Sequence, residues 1–352
     1  MNPKLQWLRN KMSSSDLQGL IISNPINIKY LTNIDAEGIL LLTRKENIFI
    51  TDGRYIEDVH TVLTLFDEII VYDINDISLE DYENFFMFCE NVGFEENYVT
   101  YSKYKEYIRK YKINNFVETE HIIEKQRMIK DEEEISNIKK ACEITDNCFS
   151  YILTYIKPGM TEKQIAHEIE EYYKQRTDGL SFDTIVASGE NTSKPHAVPT
   201  DRKIQEEDII TIDMGCKVNG YCSDMTRTFF VGKVPEYIKP IYDLVLKNQM
   251  QVLESYKDGA NTRQITKMVE NDFKLNGYDL IHSIGHGVGL EIHEAPYISY
   301  RSEATLKENM IVTNEPGIYI PGKFGIRIED TTQITKFGCI NLTKSEKNYI
   351  II

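Results

Sequence analysis

No apolar run in this chain comes near the ~20 residues that a membrane-crossing helix requires, the longest, such as residues 38–42, being a few residues each, so no membrane span is expected. The opening residues, Met1-Asn2-Pro3-Lys4-Leu5-Gln6-Trp7, lack the apolar centre of a signal peptide, and a cytoplasmic location is expected. No Cys-x-x-Cys pair and no dense framework occurs among Cys89, Cys142, Cys148, Cys216, Cys222 and Cys339. That argues against a disulfide scaffold, and the thiols are expected to be reduced and mostly structural. Positive charge is in deficit: 40 Lys and Arg stand against 55 Asp and Glu, a net −15. A polyanion would be repelled by such a surface, so neither nucleic acid nor an anionic membrane is an expected partner. Low-complexity linkers are missing as well, and close packing between domains is the expectation.

What is present suits a globular protein. At 352 residues with 41% hydrophobic content, the chain can hold two domains and a sizeable core. Residues 17–55 alternate short apolar runs with turn signals at Asn24-Pro25 and Asp52-Gly53, which predicts short strands near 17–22, 39–42 and 48–50. Helices are predicted near 3–12, 55–65, 79–89 and 102–111, giving a small mixed α/β domain over residues 1–123. A second domain is expected over 124–352. It begins with a long amphipathic helix entered through Asp131-Glu132-Glu133-Glu134, whose acidic first turn suits the positive end of the helix dipole. Another helical region is predicted near 236–257.

Four acids and one imidazole in this second domain stand where turn signals can gather them. Asp213 closes the run Ile209-Ile210-Thr211-Ile212, and Asp224 lies on the return after Asn219-Gly220, a dipeptide that favours a two-residue hairpin turn. Such a turn sets residue 213 opposite 226 and residue 215 opposite 224, which puts both aspartates on one face as diagonal neighbours. The pattern returns further on. Glu315 precedes Pro316-Gly317 as Asp213 precedes Met214-Gly215, and Glu329-Asp330-Thr331 echoes Asp224-Met225-Thr226 after a turn containing Pro321, Gly322 and Gly325. Upstream, residues 157–165 align without a gap on residues 257–265, matching at Lys, Gly, Gln and Ile. Each segment reads as a loop feeding a helix, with a Thr161/Gln164 capping box in the first and Asn261 or Thr262 capping the second. Two similar halves that each carry paired acids around His286 suggest a two-metal hydrolase. Taken singly, these five residues would read as solvated acids and a core histidine.

Ordered along the chain stand Ile212-Asp213-Met214-Gly215, residues 223–228, Gly285-His286-Gly287-Val288-Gly289, His293-Glu294-Ala295-Pro296, residues 314–319 and residues 325–330. These motifs resemble those of the pita-bread metallopeptidases, the superfamily of methionine aminopeptidase, aminopeptidase P, prolidase and creatinase. Residues 27–32 and 51–55 resemble the additional N-terminal domain of the prolidase and aminopeptidase P branch. The resemblance implies an α/β (α+β) protein: a small mixed α/β creatinase-like domain followed by a pita-bread catalytic domain with pseudo-twofold halves.

It also implies roles. Asp224 and Glu329 would bridge two divalent ions, Asp213 would bind one, and His286 with Glu315 would complete the other. One imidazole among four carboxylates suits manganese or cobalt better than structural zinc, with iron and zinc still allowed. A two-ion centre can polarise a carbonyl and acidify a water, and Glu315 is the expected proton carrier. By resemblance His196 and His293 face the substrate and donate to the oxygen that becomes negative; packing is the alternative. Arg327 shares a strand face with Glu329 and would either orient it, meet substrate, or form a plain ion pair. His282 is read as structural, and His60, His121 and His167 carry no signal, nor do Cys216 and Cys222 have spacing that demands ligation. The branch implies cleavage before proline, whose imide lacks an N–H, in a dipeptide or, alternatively, in longer peptides. A homodimer is expected by analogy. A reading of another class is a metal-free binding module on the same fold.

Overall fold

In the computed structural model, which describes residues 2–63 and 69–352, the chain divides into two units, Met1–Arg127 and Met128–Ile352. The break anticipated after residue 123 falls inside the helix Ile122–Arg127. Six strands form the sheet of the first unit, in the order Ile69–Asp73, Asn47–Thr51, Gly38–Thr43, Gly19–Ile22, Asn91–Phe94, Asn115–Glu118. Gly38–Thr43 runs antiparallel to both neighbours and the remaining pairings are parallel, so the sheet is mixed.

Several local features of this unit differ from expectation. Asn24-Pro25 starts a helix, Pro25–Thr32: the Asn24 side chain accepts from the Ile26 N–H and proline occupies the first turn. The residue types that mark a turn also cap a helix, which is why the signal was ambiguous. The helix predicted to residue 89 stops at Asn84, beyond which Phe86 is buried in the unit's aromatic core beside Tyr82 and Tyr111. The helix anticipated near 55–65 is seen over Ile56–Leu63, and residues 64 and 65 lie outside the described residues. Among the described residues no helix is long and apolar enough to cross a membrane.

The second unit is built twice over. In its first half, helices Glu132–Tyr155 and Glu162–Lys174 cover a three-stranded antiparallel sheet of Ile185–Ser188, Ile209–Met214 and Met225–Phe230. In its second, Lys239–Ser255 and Thr262–Leu275 accompany a five-stranded sheet that includes Gly285–Gly287, Ile311–Asn314 and Asp330–Thr335. Each half has its own apolar core. Phe149, Ile152, Ile165, Ile169 and Phe229 pack in one, and Val245, Val252, Ile265, Val269 and Phe273 in the other. A fully buried side chain of this kind contributes about 1.5–3 kcal/mol, so either core can hold its helix pair.

The repeat reaches individual hydrogen bonds. Gly159 N–H donates to Ile204 O at 2.8 Å and Ile204 N–H to Met160 O at 2.8 Å; Gly259 N–H donates to Leu306 O at 2.9 Å and Leu306 N–H to Ala260 O at 2.9 Å. Both helix entries are capped as their sequences suggest, by the Thr161/Gln164 box and by the Asn261 side chain accepting from Gln264 N–H. Pseudo-twofold halves, legible as a short sequence echo, are therefore real structural equivalents.

Candidate metal centre

Each of the five expected residues is carried to one cavity by a strand end. Asp213 lies in Ile209–Met214, opposite Thr226, as the hairpin register predicts. Asn219 (φ 51°) and Gly220 (φ 81°) form the left-handed two-residue turn. The ladder does not continue through residues 215 and 224, however. It lapses between Met214/Met225 and Lys217/Cys222, where Ser223 N–H bonds Cys216 O at 2.9 Å. A Cβ at Gly215 would run into the Ser223 carbonyl, so only glycine permits this approach beside Asp224.

Glu315 follows the strand Ile311–Asn314, and Glu329 separates Phe324–Arg327 from Asp330–Thr335. The two halves are tied here: Glu329 N–H donates to Thr226 O at 3.0 Å, and Thr226 Oγ1 donates to Glu329 Oε2 at 2.6 Å. His286 sits at the centre of Gly285–Gly287, its N–H on Thr313 Oγ1, which in turn reaches Glu315 Oε1 at 3.4 Å. All five line one cavity of about 580 Å³, and ligand atoms of Asp224, His286 and Glu329 lie within 4.8 Å of one another.

The electrostatics of this cluster favour a cation. Burial, reinforced by Glu329, Asp213 and Glu315, pushes the Asp224 carboxyl well above its usual range. Burial, then Glu315 and Asp213, does the same to Glu329. Glu315 is pushed up to about 8 by burial, against the opposing pull of Arg327. His286 is held down to about 4, by burial and then by His293, and is neutral near pH 7. Its Nδ1 lies 3.1 Å from the Gly287 carbonyl, which can only accept, so Nδ1 carries the proton and Nε2 presents a lone pair. That lone pair faces Asp224 Oδ2 at 3.5 Å and Glu315 Oε1 at 3.4 Å. Two ligand atoms bonded to one ion at about 2.0–2.2 Å lie roughly 3–3.5 Å apart, so the spacing suits a shared cation. Asp213 Oδ1 is buried with no hydrogen-bond partner among the described residues, a further acceptor for a cation. The donor set therefore fits divalent metal.

Of the alternatives left open for Arg327, the structure places an ion pair, and its partner is Asp213. Its Nη2 holds Asp213 Oδ2 at 2.7 Å, and it reaches Glu329 only through Thr226, whose Oγ1 accepts from Nε at 3.0 Å. Nη1 donates to Tyr319 Oη at 2.7 Å and to the Pro195 carbonyl at 3.2 Å. The strand Phe324–Arg327 ends before Glu329, and the guanidinium extends across to the aspartate of Ile209–Met214.

His196 and His293 both line the cavity, and both are exposed. The His293 ring stands 4.4 Å from that of His286. His282, read from sequence as structural, lines the same cavity. Its Nδ1 bonds the Ser283 carbonyl at 2.6 Å, leaving Nε2 to accept from Tyr319 Oη at 3.1 Å. Burial, followed by Arg327, holds its imidazole down to about 4. A chain of hydrogen bonds thus runs His282–Tyr319–Arg327–Asp213. Thr226 and Tyr319 were not singled out in the sequence, although both lie inside the motifs quoted; nothing local to a threonine or tyrosine announces a carboxylate or guanidinium partner.

Fold and site together define a metal-dependent hydrolase with a buried acid cluster. The model of metallopeptidase family M24 matches residues 136–336, and that of the creatinase/prolidase N-terminal domain matches residues 4–129. The chain belongs to metallopeptidase family M24, and carries the N-terminal domain of its creatinase and prolidase members. It is 33% identical to an Xaa-Pro dipeptidase of Pyrococcus furiosus, over 99% of this chain and 100% of that protein. Among solved structures it is similar to an Xaa-Pro dipeptidase from Bacillus anthracis, with TM-score 0.93, 35% identity and coverage of 99% of both chains. It is also similar to an X-Pro aminopeptidase from Thermotoga maritima, with TM-score 0.88, 30% identity and coverage of 97% and 100%. Family membership implies divalent metal ions and a peptide substrate.

Proposed function

We propose that this protein is a two-metal Xaa-Pro dipeptidase that hydrolyses the bond between an N-terminal residue and proline. The observation that carries the reading is the convergence of Asp213, Asp224, His286, Glu315 and Glu329 on one cavity, in a chain resembling dipeptidases of that specificity along its whole length. Asp224 and Glu329 would bridge the two ions, with Asp213 completing one site and His286 and Glu315 the other. The oxygen-rich set favours Mn²⁺, with Co²⁺, Zn²⁺ and Fe²⁺ as competitors decided by supply as much as by geometry. When bound, such ions supply Lewis acidity, polarising a carbonyl and acidifying water.

The chain's own groups divide the remaining work. Glu315, 3.4 Å from His286 Nε2 and with its side chain largely buried, takes the proton of the attacking water and delivers it to the departing proline nitrogen. His196 and His293 donate to the peptide and to the carbonyl oxygen as it gains charge. Arg327 holds Asp213 in place through their 2.7 Å ion pair. The products are a free amino acid and proline.

A second reading, an aminopeptidase acting on longer Xaa-Pro peptides, is favoured by the likeness to the Thermotoga maritima enzyme. A length series from Ala-Pro to Ala-Pro-Ala-Ala with added Mn²⁺ separates the two. Cleavage confined to the dipeptide supports the dipeptidase; efficient release of alanine from the tetrapeptide moves the protein to the aminopeptidases. Absence of chelator-sensitive cleavage from every peptide would leave only a binding module. A homodimer is proposed by analogy and is tested by light scattering. A cytoplasmic location is proposed from the six unpaired cysteines.

A further inference from the structure

The segment 188–200 passes His196 along the cavity wall, with Pro195, Ala197, Val198 and Pro199 beside it. The segment begins with a short 3-10 turn, Gly189–Ser193, followed by residues in no regular element. Its own backbone hydrogen bonds do not explain how it holds one shape. The anchor comes from behind.

Glu162, the first residue of the helix Glu162–Lys174, has no exposed surface. Its Oε1 accepts from Ser188 N–H at 2.7 Å, Ser188 Oγ at 2.6 Å and Asn191 Nδ2 at 3.1 Å. Oε2 accepts from Thr200 N–H at 2.9 Å, Thr200 Oγ1 at 2.6 Å and Asn191 Nδ2 at 3.2 Å. One carboxylate therefore grips both ends of the segment and a point between them. Withdrawing a carboxylate from water costs several kcal/mol unless its lone pairs are filled, and here donors surround both oxygens. Arg202 braces the same end, its Nη1 on Ser188 Oγ at 2.7 Å and its fork on Asp208.

The internal repeat supplies a control. Thr262 occupies the position equivalent to Glu162, is equally buried, and merely bonds Ser302 and Ala304. A helix entry of this design is thus satisfied by a threonine. The counterpart segment of the second half also passes a cavity-lining histidine, His293, but Thr262 meets it at Ser302 and Ala304, whereas the longer acidic side chain spans its segment from Ser188 to Thr200.

We propose that Glu162 is a positioning residue, which fixes the His196 segment in the shape that receives substrate. The inference rests on the assignment of His196 to the substrate side of the cavity, and the test separates the two. Glu162→Gln keeps the shape but points an amide NH₂ at donors on one side. In the metal-loaded protein, amide exchange over residues 189–199 is expected to accelerate at least about tenfold, with the strands Ile209–Met214 and Asp330–Thr335 and the metal content unchanged. For Ala-Pro hydrolysis, kcat/KM is expected to fall about 10–100-fold, the range typical of supporting partners. In a His196→Ala background the same change should cost less than about threefold, because the two act through one element. Thr200→Val deletes a single donor and repeats the exchange test should Glu162→Gln not fold. Unchanged exchange in the segment, or losses that multiply independently in the double variant, overturns the proposal. If the wild-type protein cleaves no Xaa-Pro peptide, the functional reading fails, while exchange alone still decides the role of Glu162.

Discussion

Asp330 is the partner of Arg227 in an ion pair behind the candidate metal centre, and its replacement by asparagine tests how that centre is held. Side-chain exposures are 0% for Asp330 and 1% for Arg227, and their contact is 2.7 Å. Asp330 Oδ1 also accepts from Thr343 Oγ1 at 2.9 Å; Oδ2 accepts from Gln249 Nε2 at 2.6 Å and Lys347 Nζ at 2.7 Å. Asn in this place keeps the volume but loses the charge. Whichever way its amide turns, the NH₂ faces a cation and a second donor. Removing one member of a buried pair costs about 3–5 kcal/mol, and a unit of this size loses roughly 2–4 °C per kcal/mol. The metal-loaded Asp330→Asn protein should therefore melt about 6–20 °C below wild type in differential scanning calorimetry at neutral pH. Arg227 Nη1 also bonds the carbonyl of Glu329, so a parallel drop in metal affinity is expected in titrations. A melting shift below about 2 °C would show that the pair carries little of the unit's stability, and would refute the reasoning.

Other outcomes follow from the same geometry. Asp224→Asn and Glu315→Gln should each lower Ala-Pro turnover more than about 100-fold, beyond what supporting partners cost, with circular dichroism unchanged; wild-type rates in a folded, metal-loaded variant would remove the residue from its assigned role. Chelation should abolish hydrolysis and Mn²⁺ restore it, and the ion at a hundred times its Kd should raise stability by about 2.7 kcal/mol in thermal melts. Arg327→Lys keeps the charge but cannot reproduce the fork to Asp213, Tyr319 and Thr226, so kcat/KM should fall about 10–100-fold in steady-state assays. Burial pushes the Glu162 carboxyl up, but bonds from Ser188, Thr200 and Asn191 outweigh it and leave it below the usual value. A carboxylate depressed in the folded state contributes fully above its unfolded value of about 4.3 and loses that contribution as pH falls through the folded one. Urea midpoints of wild type should thus fall more steeply below about pH 4.3 than those of Glu162→Gln; parallel curves would contradict this.

Features encoded over a few residues were legible in the sequence. Asn219-Gly220 specifies its turn through two left-handed residues, and Thr161 with Gln164 specifies its capping box across one helical turn. Strand alternation and the recurrence of acids at equivalent hairpins nominated the four carboxylates, and the resemblance to a known family placed His286 with them. The short strands Ile69–Asp73, Asn91–Phe94 and Asn115–Glu118 were not, because their parallel pairing is a property of distant segments and leaves little local pattern. The same holds for the choice of Asp213 by Arg327, 114 residues away, for the place of His282 in the cavity, and for the grip of Glu162 on a segment 26–38 residues downstream. By itself the sequence determined the chemical types at the centre and the turns that deliver them. Tertiary structure alone decided which buried charge meets which partner, since a side chain's cheapest alternative to water is whatever donor the folded chain brings within about 3 Å.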